Sequence, residues 1–419
     1  SGPVGGTIAG VTVFNDAKDL SKNGLICMDM GGTSFDVSIV IDGKAQIELD
    51  SNIDGHDLLA PSVAIHTIGA GGGSVTEFKS GKINVGPRSA SSIPGPICYD
   101  HGGTEITITD ANLVLGRISK KLSFGNDIKL NYEETSSKMN ELGEKLKLSG
   151  NQVAEGIIKI ADGNMSNAIR ELTVFRGLDP RDYALMAFGG AGPLHTVALA
   201  EELGISTVIV PANAGVLSAW GMLQADYRVD KSISFSGLIG QLNDNKIREE
   251  FDRLCAKSKS MLAFNSETKF VHEFNYSADL RYLGQEYTLT ISVDSLKNDW
   301  QLKLRSDFDS AYLIRFGHCN EEETVELVNL RVTLIMIKNK INKIVKKSFP
   351  SNTKFRYEKF WSLNQWQDLP ICNYEEIKLD SKYEGPLMVT DSSCTTYIPK
   401  NWKLKLHNQG HLILTKIKS

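Results

Sequence analysis

Between Leu25 and Leu49 the chain alternates apolar runs with turn signals in a way that leaves few folds open. Leu25 to Asp29 is a short apolar run ending in a carboxylate, Gly31-Gly32-Thr33-Ser34 permits a tight turn, and Phe35 to Ile41 runs back as a second strand. Asp42-Gly43 is a strong two-residue hairpin signal, and it predicts a third strand from Lys44 to Leu49. Further on, Asn151 to Phe175 places Val153, Ile157, Ile160, Met165, Ile169 and Leu172 near helical spacing. Strand Tyr183 to Phe188, turn Gly189-Gly190-Ala191-Gly192, helix Pro193 to Leu203 and strand Thr207 to Val210 follow. Pro193 suits the first turn of its helix, and the whole reads as a βαβ unit with a glycine turn at its strand-to-helix junction. The pattern predicts an α/β protein.

The 419 residues suggest two or three domains at about 150 residues each. Most of the 37 glycines fall in residues 1–230, residues 231–347 are charged and glycine-poor, and residues 348–419 are rich in β-formers and turn pairs. The expected organisation is a large first domain (1–230), an α/β segment completing it (231–347) and a small β-rich C-terminal domain (348–419). Within the second zone, Asp279 to Ile291 reads as a hairpin and Leu327 to Ile337 as a buried strand. A net charge of -4 gives no electrostatic case for nucleic acid or an anionic membrane as main partner. Lys338 to Lys347, with five lysines, reads as a solvated surface. No run of about 18 apolar residues is present to span a bilayer, and Ser1 to Gly6 has neither the basic start nor the apolar core of a signal peptide. Six widely spaced cysteines without a CxxC pair point to reduced thiols and a cytoplasmic protein.

The densest chemistry lies in Asp29-Met30-Gly31-Gly32-Thr33-Ser34-Phe35-Asp36. Successive N–H groups in a glycine turn form an anion-binding nest, Thr33 and Ser34 add hydroxyls, and Asp29 sits where a carboxylate can hold a hydrated Mg²⁺ or orient a water near phosphates. A bland hairpin turn needs one glycine and no flanking acids. In Gly69-Ala70-Gly71-Gly72-Gly73-Ser74, close approach to a ligand and a purely structural crossover are equally good readings. Gly189-Gly190-Ala191-Gly192 is by itself as consistent with helix–strand packing as with a nucleotide-binding turn. His66, His101 and His195, which lie beside glycine clusters, read best as structural.

These motifs resemble the hydantoinase A/5-oxoprolinase family of the actin, sugar-kinase and heat-shock-chaperone ATPase superfamily. The resemblance rests on Ser1 to Gly6, Asp29 to Ser38, Ile65 to Ser74, Val85 to Ala90, Pro94 to Tyr99, Thr109 to Arg117 and Phe188 to His195. Weaker matches run through Arg281 to Gln285, Phe316 to His318 and Gly385 to Trp402. It implies an actin-like, ribonuclease H-like ATPase lobe with a β-rich C-terminal domain, and ATP- and Mg²⁺-dependent opening of a cyclic amide such as a lactam or hydantoin. Carried onto this chain, Asp29, Gly31, Gly32, Thr33, Ser34 and Asp36 match the second phosphate loop, with Asp29 catalytic and near Mg²⁺. Gly189, Gly190 and Gly192 match the adenosine-side turn, while Gly71 and Gly72 are further candidates for nucleotide contact. The family's first phosphate loop normally precedes the Ser-Gly-Pro stretch, so a lobe supplied elsewhere, by a preceding region or another chain, is expected. A hydantoinase B-type subunit or domain and an oligomer are implied as partners. The alternatives are a ketone carboxylase of the same family and a catalytically silent nucleotide-binding or assembly module.

Overall fold

The computed structural model describes residues 2–20, 23–48, 51–53, 56–58, 62–120, 123–124, 128–261, 271–294, 296, 299–337 and 353–417. The chain divides into two units, Ser1–Gln224 with Asn342–Ser419, and Ala225–Ile341. The lysine run from Lys338 lies outside the described residues.

Among the described residues, the first unit is built on a nine-stranded sheet. Its strands in chain order are β1 (Gly24–Met30), β2 (Phe35–Ile41), β3 (Lys44–Ala45), β4 (Ile65–Ile68), β5 (Ala184–Phe188), β6 (Thr207–Val210), β7 (Lys382–Glu384), β8 (Trp402–Leu406) and β9 (Leu412–Lys416). The spatial order is β7-β8-β9-β6-β5-β1-β2-β3, with β4 also on β2. β1 runs antiparallel to β2 and parallel to β5, and β5 runs parallel to β6. This is the ribonuclease H-like arrangement: an antiparallel meander continued by parallel strands through helical crossovers. Every residue of β5, and all but Asp29 in β1, is buried. Strands covered on both faces need such unbroken apolar runs.

The helices of this unit are α1 (Gly2–Asp16), α2 (Ile108–Val114), α3 (Tyr132–Leu146), α4 (Gly150–Leu172), α5 (Gly192–Leu203) and α6 (Leu217–Gln224). α4 starts at a capping box in which the Ser149 side chain accepts from Gln152 N and Gln152 reaches back to Ser149. It buries Val153, Ile157, Met165, Ile169 and Leu172 in the main core, as their spacing foretold. α5 begins at Gly192-Pro193 and ends at Gly204 in the left-handed conformation. The expected strand from Lys44 to Leu49 is broken. Lys44–Ala45 pairs with β2, whereas Ile47–Glu48 pairs with Ser62–Val63.

The expectation of a separate C-terminal domain needs correction. β9 adds to β6 in antiparallel register, from Thr207↔Thr415 to Val210↔Leu412, and extends the main sheet. Leu404, Leu406, Leu412 and Leu414 enter the same core as β1 and β5. Trp402 is fully buried, and its indole N–H donates to Glu201 of α5 at 2.9 Å. β6 would otherwise present an unpaired edge, and β9 closes it. A second sheet, Arg356–Ser362, Gln365–Asn373, Leu387–Thr390 and Thr395–Ile398, belongs to this unit too.

The second unit has its own core, which corrects the view that it merely completes the first. Four antiparallel strands run in the order Tyr227–Leu238, Val325–Ile337, Val271–Tyr282 and Leu289–Ser292. The expected hairpin is there, with Leu280 opposite Leu289. Helices Asp244–Met261 and Trp300–Phe316 cover the sheet with Ile247, Phe251 and Leu254, and with Trp300, Leu304 and Phe308.

Candidate functional site

The parallel strands β1 and β5 end side by side, with Asp29 level with Phe188. In open α/β sheets, ligands bind in the crevice beyond the carboxyl ends of such strands. Three features meet at this place. The Gly31–Ser34 turn leaves β1, the Gly189–Gly192 turn leaves β5, and the start of α6 lies against Asp29.

Asp29 faces Asp36 across the β1–β2 pair, so both carboxylates share one face. The Ser218 hydroxyl of α6 donates to Asp29 Oδ2 at 2.8 Å. Burial raises the Asp29 carboxyl above its ordinary range; the Ser218 hydrogen bond opposes the rise and the Asp36 charge adds to it. Asp36 is differently employed. It accepts from Ser34 Oγ at 3.0 Å and from Thr67 Oγ1 at 2.6 Å, which braces the turn and ties β2 to β4. Gly31 N donates to Ser34 O at 3.2 Å and closes the turn. Gly32 and Thr33 at its tip are exposed, and a side chain at Gly31 or Gly32 would meet nothing within 4 Å.

Gly189 has φ +79, and a Cβ there would collide with Asp29 Oδ1 and the Met30 carbonyl. Only glycine lets the second turn come this close to the carboxylate. Ala191 N donates to Met30 O at 3.0 Å and Gly189 N to Ala214 O at 3.0 Å, locking the turn between neighbouring strand ends. Gly190 is exposed and Gly192 is buried at the start of α5. Behind them, Gly5 of α1 and Gly221 of α6 touch backbone to backbone, which sets Ser218 over Asp29.

Gly71 and Gly72 lie behind the turn, buried. Gly72 N donates to Gly31 O at 2.9 Å and Gly73 N to Gly32 O at 2.7 Å. A Cβ at Gly71 would stand 2.5 Å from Thr33 N and 2.6 Å from Gly32 C. Their contacts are thus with the chain itself, as backing for the Gly31–Ser34 turn. Thr109 continues this support from α2, with its N and Oγ1 each 2.8 Å from Gly72 O.

Several site-supporting residues escaped the sequence reading. Asp110 is fully buried and accepts from Cys98 N at 2.8 Å, Ile97 N at 3.3 Å, Thr107 N at 2.9 Å and Thr107 Oγ1 at 2.8 Å. Burial raises its carboxyl, opposed by these hydrogen bonds. The capping-box spacing Thr107 to Asp110 was the available signal. Ser218 had none, because its role depends on where α6 packs. His195 is fully buried, with Nδ1 2.6 Å from Asp162 Oδ1 and Nε2 3.3 Å from Asn112 Nδ2, a satisfied core histidine. His66 pairs with Glu171 at 3.0 Å, and His101 lies exposed in a loop. Finally, the turn Asp391–Cys394 reaches the crevice from the C-terminal segment, where Ser393 O lies 3.6 Å from a Cβ placed at Gly190.

An exposed glycine turn beside a carboxylate at parallel strand ends suits a phosphate-bearing ligand and a hydrated cation. Among the described residues, no three His, Cys, Asp or Glu side chains group into a metal cluster.

Fold and crevice together define an α/β protein of ribonuclease H-like topology. The nucleotide-free structure of acetone carboxylase superposes with a TM-score of 0.84 at 24% identity, over 100% of this chain and 61% of that one. The ATP-dependent caprolactamase of Pseudomonas jessenii superposes with a TM-score of 0.75 at 29% identity, over 98% of this chain and 61% of that one. In sequence, residues 1–231 match the family model described as Hydantoinase/oxoprolinase. The caprolactamase subunit alpha of Pseudomonas jessenii is 31% identical over 99% of this chain and 61% of its own length. A 5-oxoprolinase of Saccharomyces cerevisiae is also 31% identical, over 99% of this chain and 33% of its own length. The chain belongs to the hydantoinase/5-oxoprolinase family. It spans 61% of the caprolactamase subunit it matches.

Proposed function

We propose that this chain is the nucleotide-binding part of a cytoplasmic ATP- and Mg²⁺-dependent enzyme that opens a cyclic amide. The reading rests on one observation above all: Asp29 stands between an open glycine turn and the Gly189 turn, where a side chain would strike its carboxylate. The names of the relatives, caprolactamase and 5-oxoprolinase, supply the substrate class. In this reading, the backbone N–H groups of Gly31 to Ser34 hold phosphate oxygens, and Thr33 adds its hydroxyl. Asp29 holds a hydrated Mg²⁺ through water, and Ser218 fixes the orientation of its carboxylate. Asp36 keeps the turn in shape, with Gly71 and Gly72 packed behind it. Gly189, Gly190 and Gly192 border the nucleoside side. ATP supplies a phosphoryl group to the amide oxygen; water then adds at the carbonyl carbon, the C–N bond breaks and phosphate leaves. A hydantoinase B-type subunit completes the assembly, as the designation of the relative as subunit alpha suggests.

Calorimetric titration of Mg·ATP into the chain and its Asp29→Ala variant tests the site. Binding by the wild type that is lost in the variant is expected; equal binding by both overturns the assignment. Phosphate release with a lactam, 5-oxoproline or hydantoin, in the presence of the partner subunit, tests the reaction. Turnover of acetone with bicarbonate instead would assign the chain to a carboxylase, and nucleotide binding without any turnover to an assembly module.

A further inference from the structure

We infer that the turn Asp391–Cys394 is the nucleoside-side wall of the crevice, with Ser393 accepting hydrogen bonds from the sugar hydroxyls or base amino group of a nucleoside triphosphate. The inference rests on the nucleotide reading given above. It concerns a segment about two hundred residues beyond the glycine turn it meets.

Along the crevice, Gly189 is pressed against Asp29, whereas the next residue, Gly190, faces the C-terminal segment. Ser393 O lies 3.6 Å from a Cβ built on Gly190, an ordinary contact that leaves room for that atom. Gly190 is exposed and has no left-handed φ. Neither a left-handed backbone nor a clash at Cβ demands glycine there, and the space in front of Gly190 is open to an approaching ligand. Gly215, in the loop after β6, is different: a Cβ there would stand 2.5 Å from Ser393 Oγ and 3.2 Å from its carbonyl oxygen. Gly215 therefore lets Ser393 seat against the loop that holds Gly189, since Ala214 O accepts from Gly189 N at 3.0 Å.

Hydrogen bonds close the turn and fix its polarity. It joins Leu387–Thr390 to Thr395–Ile398, which pair Thr390 with Thr395. Asp391 N donates to Cys394 O at 3.0 Å. Asp391 Oδ1 accepts from Ser393 N at 2.5 Å, Ser393 Oγ at 2.8 Å and Cys394 N at 2.8 Å. The Ser393 hydroxyl hydrogen is thus spent on Asp391, and what Ser393 offers its surroundings is a carbonyl and hydroxyl lone pairs. An acceptor surface beside a carboxylate repels phosphate and suits hydroxyl or amino donors. Phosphates belong at the Gly31–Ser34 turn; the nucleoside belongs here.

The test compares Mg·ATP with Mg·tripolyphosphate, which keeps the phosphates and lacks the nucleoside, by calorimetry on the full chain. Asp391→Ala removes the acceptor that shapes the turn, and Gly190→Val adds a side chain in front of Ser393 at a position where a Cβ makes only an ordinary contact. Each is expected to weaken Mg·ATP about tenfold or more while tripolyphosphate binding stays within about twofold. Asp29→Ala weakens both ligands. Thermal unfolding shows whether Asp391→Ala remains folded, and Gly190→Val carries the test if it does not. Equal loss of both ligands, or unchanged Mg·ATP affinity in Gly190→Val, overturns the wall. A wild type that binds tripolyphosphate as tightly as ATP also overturns it and leaves the phosphate site standing. A wild type that binds neither, also when the lobe carrying the first phosphate loop is supplied, overturns the phosphate site, and the wall with it.

Discussion

Gly31-Gly32 and Gly71-Gly72 are both glycine pairs in loops at one end of the same sheet, yet they serve opposite ends. Around the first pair a side chain would meet nothing within 4 Å; around Gly71 it would strike the backbone of Thr33 and Gly32. One pair is open toward solvent and the other is compressed against its neighbour. Two carboxylates repeat the contrast. Asp110 is satisfied by donors from its own chain at Ile97, Cys98 and Thr107, whereas Asp29 takes the Ser218 hydroxyl at the edge of the crevice. Groups saturated by the chain hold the structure, and groups left open at the strand ends are available to a ligand.

Substitutions at each member separate the two kinds. The largest effect is expected for Asp110→Ala, which orphans buried donors around Thr107 and Cys98 and costs about 4 kcal/mol of unfolding free energy in urea melts. An effect below about 1 kcal/mol would erase the contrast between the carboxylates. Gly71→Ala comes next, at about 3 kcal/mol, because the added methyl meets backbone that cannot rotate away. The turn in front of it should be disturbed too, so Mg·ATP binding falls together with stability. Gly32→Ala should change stability by less than about 0.5 kcal/mol while weakening Mg·ATP about tenfold, measured by the same melts and by calorimetry. A stable variant with unaltered binding would show that the open turn is not a ligand site.

The smallest and most diagnostic change concerns Asp29→Asn in the ligand-free chain. Burial raises this carboxyl, so its ionisation costs folding free energy. Stability from the protonated form is complete below the ordinary carboxylate value. It declines as pH rises through that value to the raised one, and the penalty stays constant beyond. The variant should therefore unfold at a higher temperature than wild type at neutral pH, with the difference closing in acid, while losing Mg·ATP binding. A destabilised variant at neutral pH would mean that Asp29 is a structural carboxylate like Asp110.

Much of this was legible in the residues. The β1 and β2 runs, the Gly31–Ser34 turn, the amphipathic spacing of α4 and the β5–turn–α5–β6 unit all follow from local rules of period, turn chemistry and helix capping. Asp29 is legible because a carboxylate ending an apolar strand before two glycines is a local pattern. Other features had no local signature. Nothing in Leu412 to Lys416 names β6 as its partner, since a β-former specifies a strand and leaves its neighbour open. Ser218 looks like any helix-start serine until Gly5 and Gly221 bring α1 and α6 together.

Local residue patterns carry β1, β2, α4, the β5–turn–α5–β6 unit and the glycine turns, because backbone conformational limits and hydrophobic period act within a few residues. Which glycines are open and which are packed, the closing of the main sheet by the C-terminal strands, and the places of Ser218 and Ser393 at the crevice emerge only in the folded chain. Those outcomes depend on contacts between segments far apart in the chain, and the space left around a residue exists only once its neighbours have arrived.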